Sequence, residues 1–228
     1  MKIGVLLSGC GVYDGAEIQE AVFTLLAIDE IGAEAVCISI DDLQHHVVDH
    51  VSGKEMEEKR NMLVESARIA RGAIKNINEI TPSSIDALII PGGFGSAKNF
   101  TNWAFAGSDG NIREDVKLLL VNLVNIGQPI LALCVSPVVI AKAFENSNIT
   151  PVLTIGSRHA ASPYAIDSFQ QGLEAIGVKT EDKLIDELLI DYDNRIITTP
   201  CYMMDAKISE IRSSIKAAVE ALNKLCNA

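Results

Sequence analysis

Cys134 is the residue whose setting speaks most directly of chemistry. The apolar run Ile130-Leu131-Ala132-Leu133 passes with no turn residue between into Cys134, then into Val135-Ser136-Pro137 and a helical pattern. A strand-to-helix junction this tight projects its central side chain above the sheet and aims the following backbone N–H groups at it, the logic of a nucleophile elbow. A helix N-terminus also favours the thiolate over the thiol. The plainer alternative is a small buried core residue, which cysteine often is. Its neighbours are Leu133 and Val135 rather than the glycines that usually flank an elbow nucleophile.

Glu17 ends the glycine-rich string Gly9-Cys10-Gly11-Val12-Tyr13-Asp14-Gly15-Ala16-Glu17. A carboxylate at the mouth of the sheet can share a hydrogen bond with Cys134 and carry protons. It can equally be a first-turn acid that complements a helix dipole. Pro91-Gly92-Gly93-Phe94-Gly95 exposes backbone N–H groups with little side-chain obstruction. Gly92 and Gly93 could then supply half of an oxyanion hole, with the N–H of Val135 as the other half. Neither a P-loop nor a GxGxxG fingerprint is present. His159, in Ser157-Arg158-His159-Ala160, is the one histidine in a ligand-side loop and a candidate orienting base, unless it simply faces solvent. His45, His46 and His50 lie in the polar stretch 41–60 and read as solvated surface, not a metal site. Cys10 reads as a bystander, and Cys37, Cys201 and Cys226 as packing.

The elements that must position these residues follow an alternating pattern. Apolar runs at 2–7, 35–40, 86–91, 129–133 and 151–155 are separated by segments of helical period at 16–31, 61–71, 112–126, 137–144 and 167–176. In the first helix the apolar periodicity runs through Ile18, Val22, Leu25 and Leu26. Runs at 188–191 and 196–199 flank a hairpin signal at Tyr192-Asp193-Asn194-Arg195, and a long amphipathic helix with Asp205 as N-cap closes the chain. Strands that are apolar throughout, spaced by helices, predict one α/β domain over residues 1–228, a doubly wound parallel sheet covered on both faces. Ligands of such sheets bind beyond the carboxyl ends of the strands, which is where the turn at 8–17 and the loops at 91–99, 133–136 and 155–163 fall.

Composition narrows the partners. The formal net charge is −11, from 19 Lys+Arg against 30 Asp+Glu, which disfavours nucleic acid and anionic membranes. No apolar run approaches the roughly 18–20 residues that cross a bilayer. Five cysteines without a C-x-x-C pair argue against a disulfide framework or zinc site and predict a reducing, cytoplasmic setting.

The strings Ser8-Gly9-Cys10-Gly11-Val12-Tyr13-Asp14-Gly15 and Pro91-Gly92-Gly93-Phe94-Gly95-Ser96-Ala97-Lys98-Asn99, the Cys134 elbow, and Thr198-Thr199-Pro200 with Tyr202-Met203 resemble the ThiJ/PfpI superfamily of class I glutamine amidotransferase-like proteins. The likeness spans residues 2 to about 225 and is closest to the ElbB-like branch, described as glyoxalases or isoprenoid-biosynthesis-associated proteins. It implies a flavodoxin-like sandwich, usually a homodimer, with Cys134 as nucleophile, Glu17 as proton carrier and the backbone of Gly93 and Val135 as oxyanion donors. It further implies a cofactor-free, metal-free glyoxalase that turns a small 2-oxoaldehyde, glyoxal or methylglyoxal, into glycolate or lactate. Val135 stands where PfpI-type proteases carry histidine, and the Gly-x-Cys-x-Gly elbow and His-x-Glu of true amidotransferases are absent, so proteolysis and glutamine hydrolysis are disfavoured. The rival reading is a non-enzymatic redox-sensing or partner-binding protein that retains the reactive-cysteine pocket.

Overall fold

The computed structural model describes residues 1–228. Its centre is a seven-stranded sheet built from β1 (Lys2–Leu6), β2 (Glu34–Ser39), β5 (Ile74–Asn76), β6 (Ala87–Ile90), β7 (Ile130–Leu133), β10 (Leu189–Asp191) and β11 (Ile196–Thr199). The order across the sheet is β10-β11-β7-β6-β1-β2-β5. All neighbours run parallel except β10, which pairs antiparallel with β11 across the expected hairpin. The inner order β2-β1-β6-β7-β11 is flavodoxin-like, with β5 added at one edge and β10 at the other. The chain reverses its direction of travel between β1 and β6, and a crevice opens there at the carboxyl ends of the strands.

Two small ribbons lie outside this sheet: β3 (Val48–Asp49) with β4 (Lys54–Glu55), inside the polar excursion, and β8 (Val152–Leu153) with β9 (Lys179–Thr180). The strand expected at 151–155 is therefore not a sheet member. Only its first half forms a ladder, and Thr154 N–H turns instead to the Thr198 hydroxyl at 2.9 Å.

The helices are α1 (Ile18–Glu30), α2 (Met62–Ile69), α3 (Trp103–Ala106), α4 (Glu114–Asn125), α5 (Pro137–Phe144), α6 (Ile166–Ala175) and α7 (Ile208–Cys226). One apolar cluster of 53 buried residues, from Ile3 to Leu225, joins both faces of the sheet to these helices. Every residue of α5 is buried, Lys142 included, whose ammonium donates to Ser108 O at 3.0 Å. Two local expectations change. α7 starts two residues later than Asp205 would set, with Lys207 at the cap position and its N–H held by Glu210. α1 buries Glu20, Ala21, Thr24, Ala27 and Ile28, while Ile18, Val22 and Leu26 are exposed. The face against the core is the one of small residues, because α1 packs closely on β2 and α7. No helix is long and apolar enough to cross a membrane.

Candidate active site

Three loops converge at the switch point. The 11–17 turn and the 92–95 loop are laced together by Glu17 N–H to Gly92 O (2.8 Å), Phe94 N–H to Val12 O (2.8 Å) and Gly95 N–H to Gly15 O (2.9 Å). Asn99 pins them from beneath, donating its amide to Ser8 O and Asp14 O at 2.8 and 2.9 Å. The β7–α5 junction is tied to the end of β6 by the Ser136 hydroxyl on Pro91 O at 2.7 Å.

Cys134 occupies the apex with φ 59°, in the left-handed region that a non-glycine residue adopts only at a cost of order 1–3 kcal/mol. Its N–H is spent on Thr199 O at 3.0 Å, which closes the turn on β11. The side chain faces a crevice lined by Val12, Gly93, Phe94, Tyr164, Tyr202 and Met203, with room for about 10 Å³, about one water. The backbone N–H groups of Gly93 and Val135 both hydrogen-bond the sulfur.

The carboxyl group that meets this sulfur is Glu20, not Glu17. Glu20 is 0% exposed and hydrogen-bonds the Cys134 side chain. Its Oε2 accepts from Gly92 N–H at 2.8 Å and its Oε1 from Tyr202 N–H at 3.3 Å. Glu17 has extended backbone (φ −64°, ψ 122°) and caps α1, its Oε2 accepting from Glu20 N–H at 2.6 Å. It thus fulfils the helix-start alternative, and by closing the first turn it sets the direction in which Glu20 leaves the helix. Gly92 likewise changes role: its N–H orients Glu20, which leaves Gly93 and Val135 as the donors at the sulfur.

His159 does not join them. Its side chain is 81% exposed and approaches only Asp182, at 3.9 Å, where Arg158 already holds the carboxylate at 2.8 Å. The loop it belongs to reaches the crevice through Tyr164, whose ring meets Phe94 edge-on at 5.5 Å. The other three histidines are also elsewhere: His45 packs against Phe105 at a tilt, His46 meets the same ring edge-on, and His50 packs against Tyr13. No group of three or more His, Cys, Asp and Glu side chains could hold a metal ion.

Burial governs the electrostatics. Desolvation, reinforced by the Glu17 carboxylate, lifts the Glu20 carboxyl to about 8, against the hydrogen bonds from Tyr202 and Gly92 that favour its charge. Burial likewise pushes the Cys134 thiol up, ahead of repulsion from Glu20, while the N–H groups of Gly93 and Val135 pull it down. The depressed thiol expected of a helix start is therefore not found, because Cys134 is only 5% exposed. With Glu20 neutral that repulsion disappears, and the first proton lost near pH 8 leaves one negative charge shared by two hydrogen-bonded groups. A carboxyl raised from 4.5 to about 8 on folding stays protonated in the native state while the unfolded chain ionises. Stability should accordingly fall as pH rises through that window, by up to about 1.4 kcal/mol per pH unit. Glu20→Gln should flatten the decline, as urea midpoints measured at several pH values would show; an unchanged slope would assign the dependence elsewhere.

No protein-family model matches the chain. A human protein named "Glutamine amidotransferase-like class 1 domain-containing protein 3, mitochondrial" is 36% identical over 228 residues, which cover 98% of this chain and 83% of the human one. The chain belongs to this glutamine amidotransferase-like class 1 (ES1) family. A rat member, "ES1 protein homolog, mitochondrial", is also 36% identical over 228 residues, 98% of this chain and 84% of its own length. The cytoplasmic setting expected above is overturned by these names: both relatives are mitochondrial proteins. Free thiols register only that a compartment is reducing, so cysteine usage could not choose between compartments. Among solved structures, an isoprenoid biosynthesis protein with amidotransferase-like domain from Ehrlichia chaffeensis superposes with TM-score 0.88 at 31% identity, covering 98% of this chain and 99% of that one. Glyoxalase III of Candida albicans shares the ES1-family fold alone, with TM-score 0.60 at 15% identity over 98% of this chain and 96% of its own. The ThiJ/PfpI resemblance and the flavodoxin-like sandwich both stand on these matches.

Proposed function

We propose that the protein is a cofactor-independent glyoxalase, acting on glyoxal or methylglyoxal, in which Cys134 and Glu20 act as nucleophile and proton carrier. The observation that carries this reading is the buried Cys134–Glu20 contact, with the N–H groups of Gly93 and Val135 at the same sulfur. A general base with a value near working pH is the one suited to moving a proton between adjacent carbons, and Glu20 at about 8 is close to it.

The steps balance as follows. In the singly charged pair, the Cys134 thiolate adds to one aldehyde carbon and Glu20 gives its proton to the oxygen, forming a hemithioacetal. The resulting carboxylate takes the hydrogen from that carbon, whose C–H electrons move into an enediolate. Glu20 returns the proton to the neighbouring carbon while the hydroxyl proton passes to the neighbouring oxygen, leaving a glycoloyl thioester. Water cleaves the thioester to glycolate and restores the thiol. The N–H groups of Gly93 and Val135 lie beside the charge first on sulfur and then on oxygen.

A peroxide sensor is the weaker reading, since such thiols are low in pKa and open to solvent, and Cys134 is neither. Purified protein given glyoxal without glutathione should release glycolate, at a rate that rises with pH toward about 8 as the pair loses its first proton. Cys134→Ser should release none above the uncatalysed rate. Equal glycolate from both proteins would refute the reading.

A further inference from the structure

A second cavity, of about 660 Å³, shares Phe94 with the Cys134 crevice. The chain has one Trp, 4 Tyr and 6 Phe, and five of these line it: Tyr13, Phe94, Trp103, Phe105 and Phe169. Small residues complete the wall, among them Gly172, where any Cβ would come 2.9 Å from the Trp103 ring. That size suits a small organic molecule, and the clustered aromatic side chains suit a flat one.

The lining contains a single charged side chain, Lys98, on a protein of net charge −11. Its ammonium stands 6.0 Å from the centroid of the Phe94 ring and donates to Tyr13 O at 2.7 Å. A lysine ammonium carries three N–H donors, so two remain for a ligand. Asp14 and Glu55 act on it only through space, without an ion pair, and half-burial lowers its pKa. An anion in the cavity would meet the one cation there and no lining carboxylate.

We propose that this cavity is a binding site for a flat, apolar monocarboxylate, its ring among Phe94, Trp103 and Phe169 and its carboxylate on Lys98. The site does not depend on the glyoxalase reading, because Cys134 and Glu20 take no part in it. Trp103, the sole tryptophan, is a built-in reporter.

Benzoate titrated into the full-length protein should change Trp103 fluorescence saturably. Benzyl alcohol, with the ring but no charge, and acetate, with the charge but no ring, should both bind at least about tenfold more weakly, since hydrogen bonds to charged groups are the stronger kind. Lys98→Met should weaken benzoate to the level of benzyl alcohol. Ala104→Phe, at an exposed position that fills the cavity, should abolish the saturable change. Absence of a saturable change in the unmodified protein would overturn the proposal. So would benzoate binding that survives Lys98→Met or Ala104→Phe, or acetate binding as tightly as benzoate.

Discussion

Replacing Glu20 with Gln should lower glyoxal turnover by at least about a hundredfold, the lower end of what a positioned general acid–base residue contributes. An amide has one accepting oxygen, so Gln can keep the Gly92 N–H (2.8 Å) while its NH2 group replaces the oxygen that meets the Tyr202 N–H, the longer contact at 3.3 Å. The protein should fold with a modest loss of stability, and the proton shuttle should be lost because an amide cannot carry the proton. Glu17→Gln is the informative partner. Its amide oxygen can still accept from Glu20 N–H at the helix start, so turnover should stay within a few-fold of the unmodified enzyme. His159→Ala should also leave the rate unchanged, given its exposed ring. Near-normal turnover in Glu20→Gln with a collapse in Glu17→Gln would return the role to the earlier acid and sink the assignment.

The two glutamates mark where sequence reasoning reached and where it stopped. The turn at 8–17 told correctly that an acid lay at the mouth of the sheet, but the choice between Glu17 and Glu20 depended on which face of α1 turns inward. The large apolar residues Ile18, Val22 and Leu26 drew attention to one face, and it is the exposed one. Ala21, Thr24, Ala27 and Ile28 form the buried face, and Glu20 lies on it. Small residues mark close helix packing as surely as large ones mark a thick core, and weighing Ala and Thr as inward would have pointed to Glu20. Cys134 was legible because a strand meeting a helix without a spacer leaves its central residue no other place to go. His159 was illegible for the opposite reason: the connection between β8 and α6, residues 154–165, is long enough that His159 and Tyr164 face different surroundings. The parallel sheet and the hairpin followed from apolar runs and turn residues. The off-sheet ribbon at Val152–Leu153 did not, since an apolar run reads alike whether it joins the main sheet or a two-residue ladder.

Gly92→Ala should be the most damaging small change at the site. Gly92 has no positive φ, so alanine meets no backbone conformation it dislikes, and its effect is steric alone. The added methyl would fall on the Cys134 Cβ and Glu20 Oε2 and lie 2.9 Å from the Cys134 sulfur. The backbone cannot retreat: Gly92 N–H is held by Glu20, Gly92 O by Glu17 N–H at 2.8 Å, and the preceding Pro91 O by the Ser136 hydroxyl at 2.7 Å. Overpacking of this kind typically costs about 1–3 kcal/mol of stability. The methyl must also part the nucleophile from its proton carrier, and a misplacement of about 1 Å costs on the order of a hundredfold in rate. Both losses should appear together, turnover in a glyoxal assay well below the melting temperature and stability in urea unfolding. A variant that is destabilised yet turns over normally would show that the Cys134–Glu20 contact is not needed for the reaction.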